Sequence, residues 1–177
     1  MEDLLNRIKR AMRLEPALYE EVEHDRTAMT QAMLVVILSA VAAGSSFFHS
    51  GHVCSLLFDV GIALVSWFVW AYITYFLGTQ VFPEPQTRSD HGELLRTLGF
   101  ASSPGLIRFL GIIPGLAIIS NVVASIWMLA ANVIAVRQAL DYTSTGRAVA
   151  VCIIGWLVYV IASGLIYVVS FGLLSFN

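Results

Sequence analysis

The sequence predicts an all-α polytopic membrane protein, a bundle of five transmembrane helices preceded by an N-terminal amphipathic helix. Of the 177 residues, 58% are hydrophobic and only 12% are charged. The mean hydropathy of +0.78 is well above that of a chain with a fully solvated surface. Several apolar runs approach or exceed the roughly 20 residues that a helix needs to cross about 30 Å of hydrocarbon. The ten-residue alternation typical of a β-barrel does not occur in the sequence.

The pattern of apolar and polar runs divides the chain into two parts. Residues 1–28 are predicted to form a cytoplasmic or interfacial segment, and residues 29–177 a membrane domain. The five predicted crossings are residues 29–48, 53–78, 94–113, 116–139 and 148–173. The third is the least regular, because it carries charged residues and prolines within an otherwise apolar run.

Basic residues set the predicted orientation, because they gather on the cytoplasmic side of membrane helices. Five crossings with a cytoplasmic N-terminus place nine of them in or beside cytoplasmic segments: Arg7, Lys9, Arg10, Arg13, Arg26, Arg88, Arg96, Arg137 and Arg147. Only Arg108 then lies toward the outer face. If residues 94–113 did not cross, Arg137 and Arg147 would move outside, so the arginines favour a third crossing.

The first fourteen residues, MEDLLNRIKRAMRL, have the pattern of a short basic amphipathic helix. Its apolar arc consists of Leu4, Leu5, Ile8, Ala11 and Met12, and its basic residues outside that arc are Arg7, Lys9, Arg10 and Arg13. Such a helix binds the headgroups of an anionic cytoplasmic leaflet. The alternative is a helix packed on the protein's own cytoplasmic loops.

The third predicted crossing contains a kink signal. Pro104 removes one backbone hydrogen bond, and Ser102 and Ser103 can bond to carbonyls that the kink leaves without a donor. Pro114 with Gly115 predicts a tight turn into the next helix. We therefore expect residues 94–113 to form a bent helix.

Three polar residues are predicted to share one depth in the membrane. Counted at 1.5 Å per residue from the outer helix ends, Asp59, Arg108 and Asn121 each lie about 8 to 9 Å below the outer edge of the hydrocarbon. Intramembrane charges are costly unless paired or wetted, so an Asp59–Arg108 pair supported by Asn121 is predicted. The cluster would either fix helix register or handle a substrate or proton; Arg108 could instead extend to the outer headgroups.

Sites for metals, cofactors and nucleic acids are weakly supported. His49, His52 and Cys54 supply nitrogen and sulfur donors within six residues, but no fourth ligand is evident, so no metal and no cofactor are predicted. A net charge of −2 argues against nucleic acid as a partner. Phosphate loops, zinc-protease motifs and nucleophile elbows do not occur in the sequence, which predicts a protein that is not an enzyme.

Several stretches together resemble the Yip domain family, membrane proteins named for interaction with Ypt and Rab GTPases, and particularly its prokaryotic branch. They are YEEVEHD, SWFVWAYITYFLGT, ELLRTLGFASSPGL, IWMLAANVIAVRQALD and GRAVAVCIIGW, which span about residues 19–157. The resemblance implies five membrane helices with a cytoplasmic N-terminus. Eukaryotic members act in vesicle traffic, but the GTPase role is not carried over to so short an N-terminal region, and the resemblance supplies no catalytic residues.

The sequence therefore favours a non-enzymatic membrane protein of Yip type that organises membrane or partner proteins. The alternative is a transporter, channel or lipid-scrambling conduit that uses Asp59, Arg108 and Asn121, although no inverted repeat supports it. The expected partners are membrane lipids, anionic at the cytoplasmic leaflet, and a second copy or another membrane protein. The expected location is a prokaryotic cytoplasmic membrane. Small residues four apart, which predict close helix packing, are Ala40 and Gly44, Ala101 and Gly105, Gly111 and Gly115, and Ala131 and Ala135.

Overall fold

The computed structural model describes residues 2–44 and 53–175, with side chains described at 2–44, 56–162 and 164. These residues form helices and contain no strand. The α-helices are α1 (Glu2–Met12), α2 (Pro16–His24), α3 (Ala28–Ala43), α4 (Val53–Phe76), α5 (His91–Ala101), α6 (Ala117–Ala139) and α7 (Thr145–Ser175). A π-helical turn (Leu77–Val81) follows α4, and a 3-10 helix (Ser103–Ile112) follows α5.

The all-α class is confirmed for this part of the chain. Three of its helical stretches are long and apolar enough to cross a membrane: Leu56–Val81, Ala117–Ala139 and Thr145–Ala162. A fourth apolar helix, Ala28–Ala43, is shorter. Local signals explain two of the helix starts. Pro16 occupies the first turn of α2, and Asp90 with Glu93 forms a reciprocal capping box at α5, with both bonds at 2.8 Å.

The predicted bent helix at residues 94–113 is instead two helices of different type. The α-helical part ends at Ala101, and the chain continues as a 3-10 helix of 10 residues, longer than is usual for that geometry. Ser102 Oγ donates to the carbonyl of Leu98 at 3.3 Å. Ser103 Oγ is buried and has no hydrogen-bond partner within the described structure. Pro104 lies in the first turn of the 3-10 helix, where its missing N–H breaks no α-helical bond.

Neighbouring helices alternate in direction. Ala32 of α3 packs on Gly99 of α5, and Ser39 of α3 packs on Gly105 of the 3-10 helix, so these two segments run parallel. The contacts that make the other neighbours antiparallel are Trp67–Leu95 and Tyr75–His91 for α4 and α5, Met128–Gly105 and Ser125–Arg108 for α6 and the 3-10 helix, and Ser66–Tyr159 and Trp70–Gly155 for α4 and α7. The chain thus runs up and down through five neighbouring segments.

The close approach of α3 to α5 depends on small side chains. A Cβ placed on Gly99 would lie 2.7 Å from the Cβ of Ala32, and one placed on Gly105 would lie 2.0 Å from Ser39 Oγ. Ala131 and Ala135 of α6 are also fully buried. Helices in a bilayer gain most of their association energy from such tight packing, because lipid tails are as apolar as leucine.

The packed core lies at one end of the bundle. There α1 packs against α5 and the 3-10 helix, α2 packs against α5 and α6, and Leu18, Tyr19 and Phe100 are fully buried. At the other end the apolar side chains are exposed, as in Leu57 at 67% and Ile118 at 79%. Apolar side chains in this position need lipid around them to be stable.

The loops at the packed end are tied together by two polar side chains. Tyr142 places its hydroxyl 3.0 and 2.8 Å from the carbonyls of Gly78 and Phe82, at the end of the π-helical turn. Glu84 Oε2 accepts from the backbone N–H and the hydroxyl of Thr143, at 3.0 and 2.8 Å. These bonds to Thr143 hold the pKa of Glu84 below its usual value. The connections after α4 and α6 therefore form one ordered surface.

Candidate functional site

A groove of about 890 Å³ lies between the helices above the packed core. Side chains from α3, α4, α6, α7 and the α5 and 3-10 segment all contribute to it. Its lining comprises Val36, Ser39, Ala40 and Ala43 of α3; Ala63, Ser66, Trp67 and Trp70 of α4; Leu98, Ser102 and Arg108 of the α5 and 3-10 segment; Ser125, Met128, Leu129 and Asn132 of α6; and Cys152, Ile153, Trp156, Tyr159 and Val160 of α7. We call this the interhelical groove.

One side of the interhelical groove is open between α6 and α7. Leu129, Ile153 and Trp156 line it and are nevertheless 60%, 54% and 59% exposed. Side chains that both line a groove and remain exposed mark its mouth. The opening continues along the groove, because Ala43, Ser125 and Val160 also line it and are exposed.

The cationic group of the interhelical groove is Arg108, which is partly buried. Its Nη2 donates to Ser125 Oγ at 3.3 Å, and that hydroxyl donates to the carbonyl of Asn121 at 2.8 Å. Arg108 lies in the second half of the 3-10 helix. The result is a guanidinium held against the wall formed by α6.

The predicted cluster of three polar residues is assembled only in part. The ion pairs among the described residues do not include one between Asp59 and Arg108. Asp59 is exposed on α4, and the side chain of Asn121 donates to the carbonyl of Ala117 in its own helix at 2.8 Å. Equal depth therefore did not bring the three side chains together, because depth says nothing about which way each helix is rotated.

The N-terminal helix α1 is docked on the protein. Its arc of Leu4, Ile8 and Ala11 faces the core, with Ile8 only 7% exposed and Ala11 fully buried. Leu5, by contrast, is 55% exposed. The apolar arc is thus mostly used for packing within the protein, against α2, α5 and the 3-10 helix rather than against loops, and binding of α1 to a membrane surface stays a prediction.

Arg7 is the centre of a polar network that holds α1 in place. Its side chain is 10% exposed and donates to Glu21 Oε1 at 3.0 Å, to Asp25 Oδ2 at 2.8 Å and to Gln31 Oε1 at 3.0 Å. The hydroxyl of Thr27 and then Arg7 lower the pKa of Asp25. Arg7 therefore ties α1 to α2 and to the first turn of α3.

The four predicted membrane-binding cations fall into two pairs. Arg7 is buried in its network, and Arg10 bonds Glu15 at 3.2 Å and Glu21 at 2.5 Å. Lys9 is exposed on α1, and Arg13, just after the end of α1, is exposed with its Nη1 3.9 Å from Glu15 Oε1. Contact of these cations with lipid stays a prediction, and Lys9 and Arg13 are the two positioned to make it.

Arg96 is a structural anchor whose role sequence reasoning missed. It was counted only as a marker of orientation, yet it is 6% exposed, and its guanidinium donates to the carbonyls of Val22 at 2.9 Å and of Glu23. These are the last orphan carbonyls of α2, so Arg96 caps that helix from within the bundle. The indication of this role in the sequence is that Arg96 lies within a predicted apolar span.

Glu23 is a buried carboxyl at the same junction. It is 4% exposed, and burial, followed by the nearby charges of Asp141 and Glu93, raises its pKa to about 8. The protonated form is therefore favoured near neutral pH. A pH-dependent contribution of Glu23 to the docking of α2 is therefore expected.

The predicted metal candidates cannot be placed. His49 and His52 lie outside the described residues, and Cys54 lies at the start of α4, before the first described side chain of that helix. Within the described part of the chain, no group of three His, Cys, Asp or Glu residues could hold a metal ion.

Comparison with known protein families identifies this architecture. The Yip1 domain family model matches residues 14–168, which include every helix from α2 to α6 and most of α7. Comparisons with curated proteins and with solved structures returned no match. The family match covers most of the chain, and its range contains the three long apolar helices. The chain belongs to the Yip1 domain family.

Proposed function

We propose that this protein is a non-enzymatic membrane protein of Yip type that crosses the bilayer five times and organises lipids or partner proteins at its cytoplasmic face. The alternating helix directions support five crossings. The α5 and 3-10 segment, with 11 and 10 residues, is about 36 Å long at 1.5 and 2.0 Å per residue, enough for about 30 Å of hydrocarbon. A cytoplasmic N-terminus in a prokaryotic cytoplasmic membrane, with a second copy or another membrane protein as partner, completes the proposal.

The observation that carries the organising role is the docked helix α1. Because Arg7 and the apolar arc fix it to the bundle, its outer side is presented in one orientation. That side carries Leu5 and Lys9, and Arg13 follows directly after the last residue of α1. A fixed pair of cations beside a membrane attracts anionic lipids, at about 1 kcal/mol for each basic residue near the surface.

Lipid selectivity in reconstituted bilayers tests this role. The full chain is placed in phosphatidylcholine bilayers with a trace of spin-labelled phosphatidylserine or phosphatidylcholine, and the preference for the anionic label is measured. Replacing Lys9 and Arg13 by alanine should lower that preference, by up to about five-fold per residue at low salt. The matched control replaces Arg26 and Arg88, two exposed arginines outside α1.

Three outcomes would reject the organising role through α1. One is a wild-type protein without preference for the anionic label; another is an equal loss in both double variants. The third is a preference that persists unchanged at high salt, because surface electrostatics are screened within about 10 Å at 0.1 M salt.

The five-crossing topology has its own test. A reporter active only in the cytosol, fused after Asn177, should stay silent when the N-terminus is cytoplasmic. A reporter that becomes active there would reject the odd number of crossings.

The interhelical groove favours a second candidate, a conduit for lipid headgroups, ions or small solutes. Its volume and the presence of Arg108 support this reading. Reconstituted protein should then show flux in a scrambling or ion-leak assay, and Arg108→Leu should reduce it. Asp59→Asn should have little effect, because Asp59 does not line the groove. A wild-type protein without flux would reject the conduit.

A further inference from the structure

The interhelical groove has the dimensions of a ligand site. Its volume of about 890 Å³ lies within the range of roughly 300 to 1,000 Å³ found for small-molecule pockets. Much of the wall is apolar, including Trp67, Trp70 and Met128, so filling the groove with water alone is energetically unfavourable.

The position of the mouth indicates where an occupant comes from. Leu129, Ile153 and Trp156 open the groove sideways between α6 and α7, two helices that are apolar and long enough to cross a membrane. In a bilayer, an opening between two such helices faces hydrocarbon. The molecules that can enter it sideways are lipids.

Several polar groups of the wall form hydrogen bonds within the protein itself. Ser102 donates to Leu98 O at 3.3 Å, Asn132 donates to Met128 O at 2.8 Å, and Tyr159 donates to Ser66 Oγ at 3.1 Å. An acyl chain can lie against such groups without leaving their donors unpaired.

Arg108 supplies a charge that suits a phosphate. A guanidinium has five N–H donors in a planar fork, and the fork matches two phosphate oxygens at once. Ser125, 3.3 Å from Arg108 Nη2, adds a hydroxyl at the same place. The wall therefore combines a cationic, hydrogen-bonding end with an apolar surface that continues to Met128 and Leu129, a combination that complements an amphiphilic anion.

We propose that the interhelical groove binds one anionic phospholipid, with its phosphate on Arg108 and Ser125 and one acyl chain leaving between α6 and α7. The inference rests on the membrane placement proposed above, because a lipid can enter sideways only if α6 and α7 are in the bilayer. It adds a lipid class and named contacts to that placement, and it requires no transport.

Native mass spectrometry of the detergent-purified full chain tests the proposal. With added phosphatidylglycerol, the wild type should retain one lipid. Arg108→Gln should weaken retention by about ten-fold or more, as expected for loss of a charged hydrogen-bonding group. Arg88→Gln is the charge-matched control at an exposed loop position, and Arg108→Lys, which keeps the charge but not the fork, should fall between them.

Position in the groove is checked in a bilayer by tryptophan fluorescence. Trp67, Trp70 and Trp156 line the groove, so phosphatidylglycerol with brominated chains should quench them in the wild type and less in Arg108→Gln. This second measurement also shows whether Arg108→Gln still folds, since its unquenched spectrum should match that of the wild type.

Other outcomes would overturn the proposal. Equal retention of phosphatidylglycerol by Arg108→Gln and the wild type would show that the protein recognises the acyl chain of the lipid and not its phosphate. Displacement of the lipid by millimolar inorganic phosphate would indicate a site for soluble anions. No retained lipid would reject this inference alone, provided the Asn177 reporter stays silent; an active reporter would reject the membrane placement as well.

Discussion

Replacing Arg7 by alanine should release α1 from the bundle. Arg7 donates to Glu21, Asp25 and Gln31 at 2.8 to 3.0 Å, and its own side chain is 10% exposed. Two hydrogen bonds to charged partners, at about 1.5 kcal/mol each, give about 3 kcal/mol. Glu21 and Asp25 are 38% and 26% exposed, so water can replace part of what they lose, and we expect a cost of about 2 to 3 kcal/mol.

Hydrogen exchange of the α1 amides measures this cost directly, because it reports local opening of one segment. A loss of about 2 to 3 kcal/mol corresponds to about 30- to 140-fold faster exchange. The matched control is Lys9→Ala on the same helix. Lys9 is exposed, so its replacement should change the opening free energy by no more than about 0.5 kcal/mol.

The same measurement shows how the network depends on pH. The pKa of Asp25 is lowered from 3.8 in the folded protein. The stability that Asp25 contributes should therefore be present above about pH 4 and lost as the pH falls through the lowered value. Equal effects of Arg7→Ala and Lys9→Ala on α1 exchange, or no effect of Arg7→Ala, would refute the docked arrangement.

Substitutions at Gly99, Glu23 and Tyr142 test helix packing, a buried carboxyl and a hydrogen-bonded loop contact. Gly99→Ala should destabilise the protein by about 1 to 3 kcal/mol, because the new Cβ would lie 2.7 Å from the Cβ of Ala32. The control Gly61→Ala should be neutral or stabilising, because nothing lies within 4 Å of the new Cβ. Melting temperatures of both variants in detergent measure the difference. Glu23 has a pKa raised from 4.5 to about 8, so stability should fall as pH rises through that window, and Glu23→Gln should flatten the profile of melting temperature against pH; a profile unchanged from wild type would contradict this. Tyr142→Phe removes the hydroxyl that donates to the carbonyls of Gly78 and Phe82, and should lower stability by about 1 to 2 kcal/mol. The loss should appear as faster hydrogen exchange at the amides of the π-helical turn. Unchanged exchange there would show that Tyr142 does not hold the two connections together.

Helix type and position were predictable where the signal is local. The predicted segments 116–139 and 148–173 differ from α6 and α7 by three residues or fewer at each end. The sequence was less decisive about the helix type of residues 94–113. Pro104 marked a break, but whether the chain continues as an α-helix or a 3-10 helix depends on what packs against it, here Ser39 and Met128 around Gly105.

The composition of the candidate site was less accessible than the fold. Arg108 was identified as an intramembrane charge from the sequence and does line the interhelical groove. The sequence did not predict that the tryptophans of α4 and α7 line the groove. The local sequence pattern is the same whether an aromatic residue of an apolar helix faces lipid, another helix or a groove. Their facing depends on helix rotation, which only neighbouring helices determine.

The sequence by itself determined that this is an all-helical membrane protein of the Yip1 domain family, because hydropathy and the order of local motifs are properties of the chain. The tertiary structure alone decided that Arg7 and Arg96 are buried anchors and that Arg108 lies in a groove apart from Asp59. The reason is distance along the chain. Arg7 is stabilised by groups 14 to 24 residues away and Arg96 by carbonyls more than 70 residues away. The environment of a charge is set by such partners and not by its sequence neighbours.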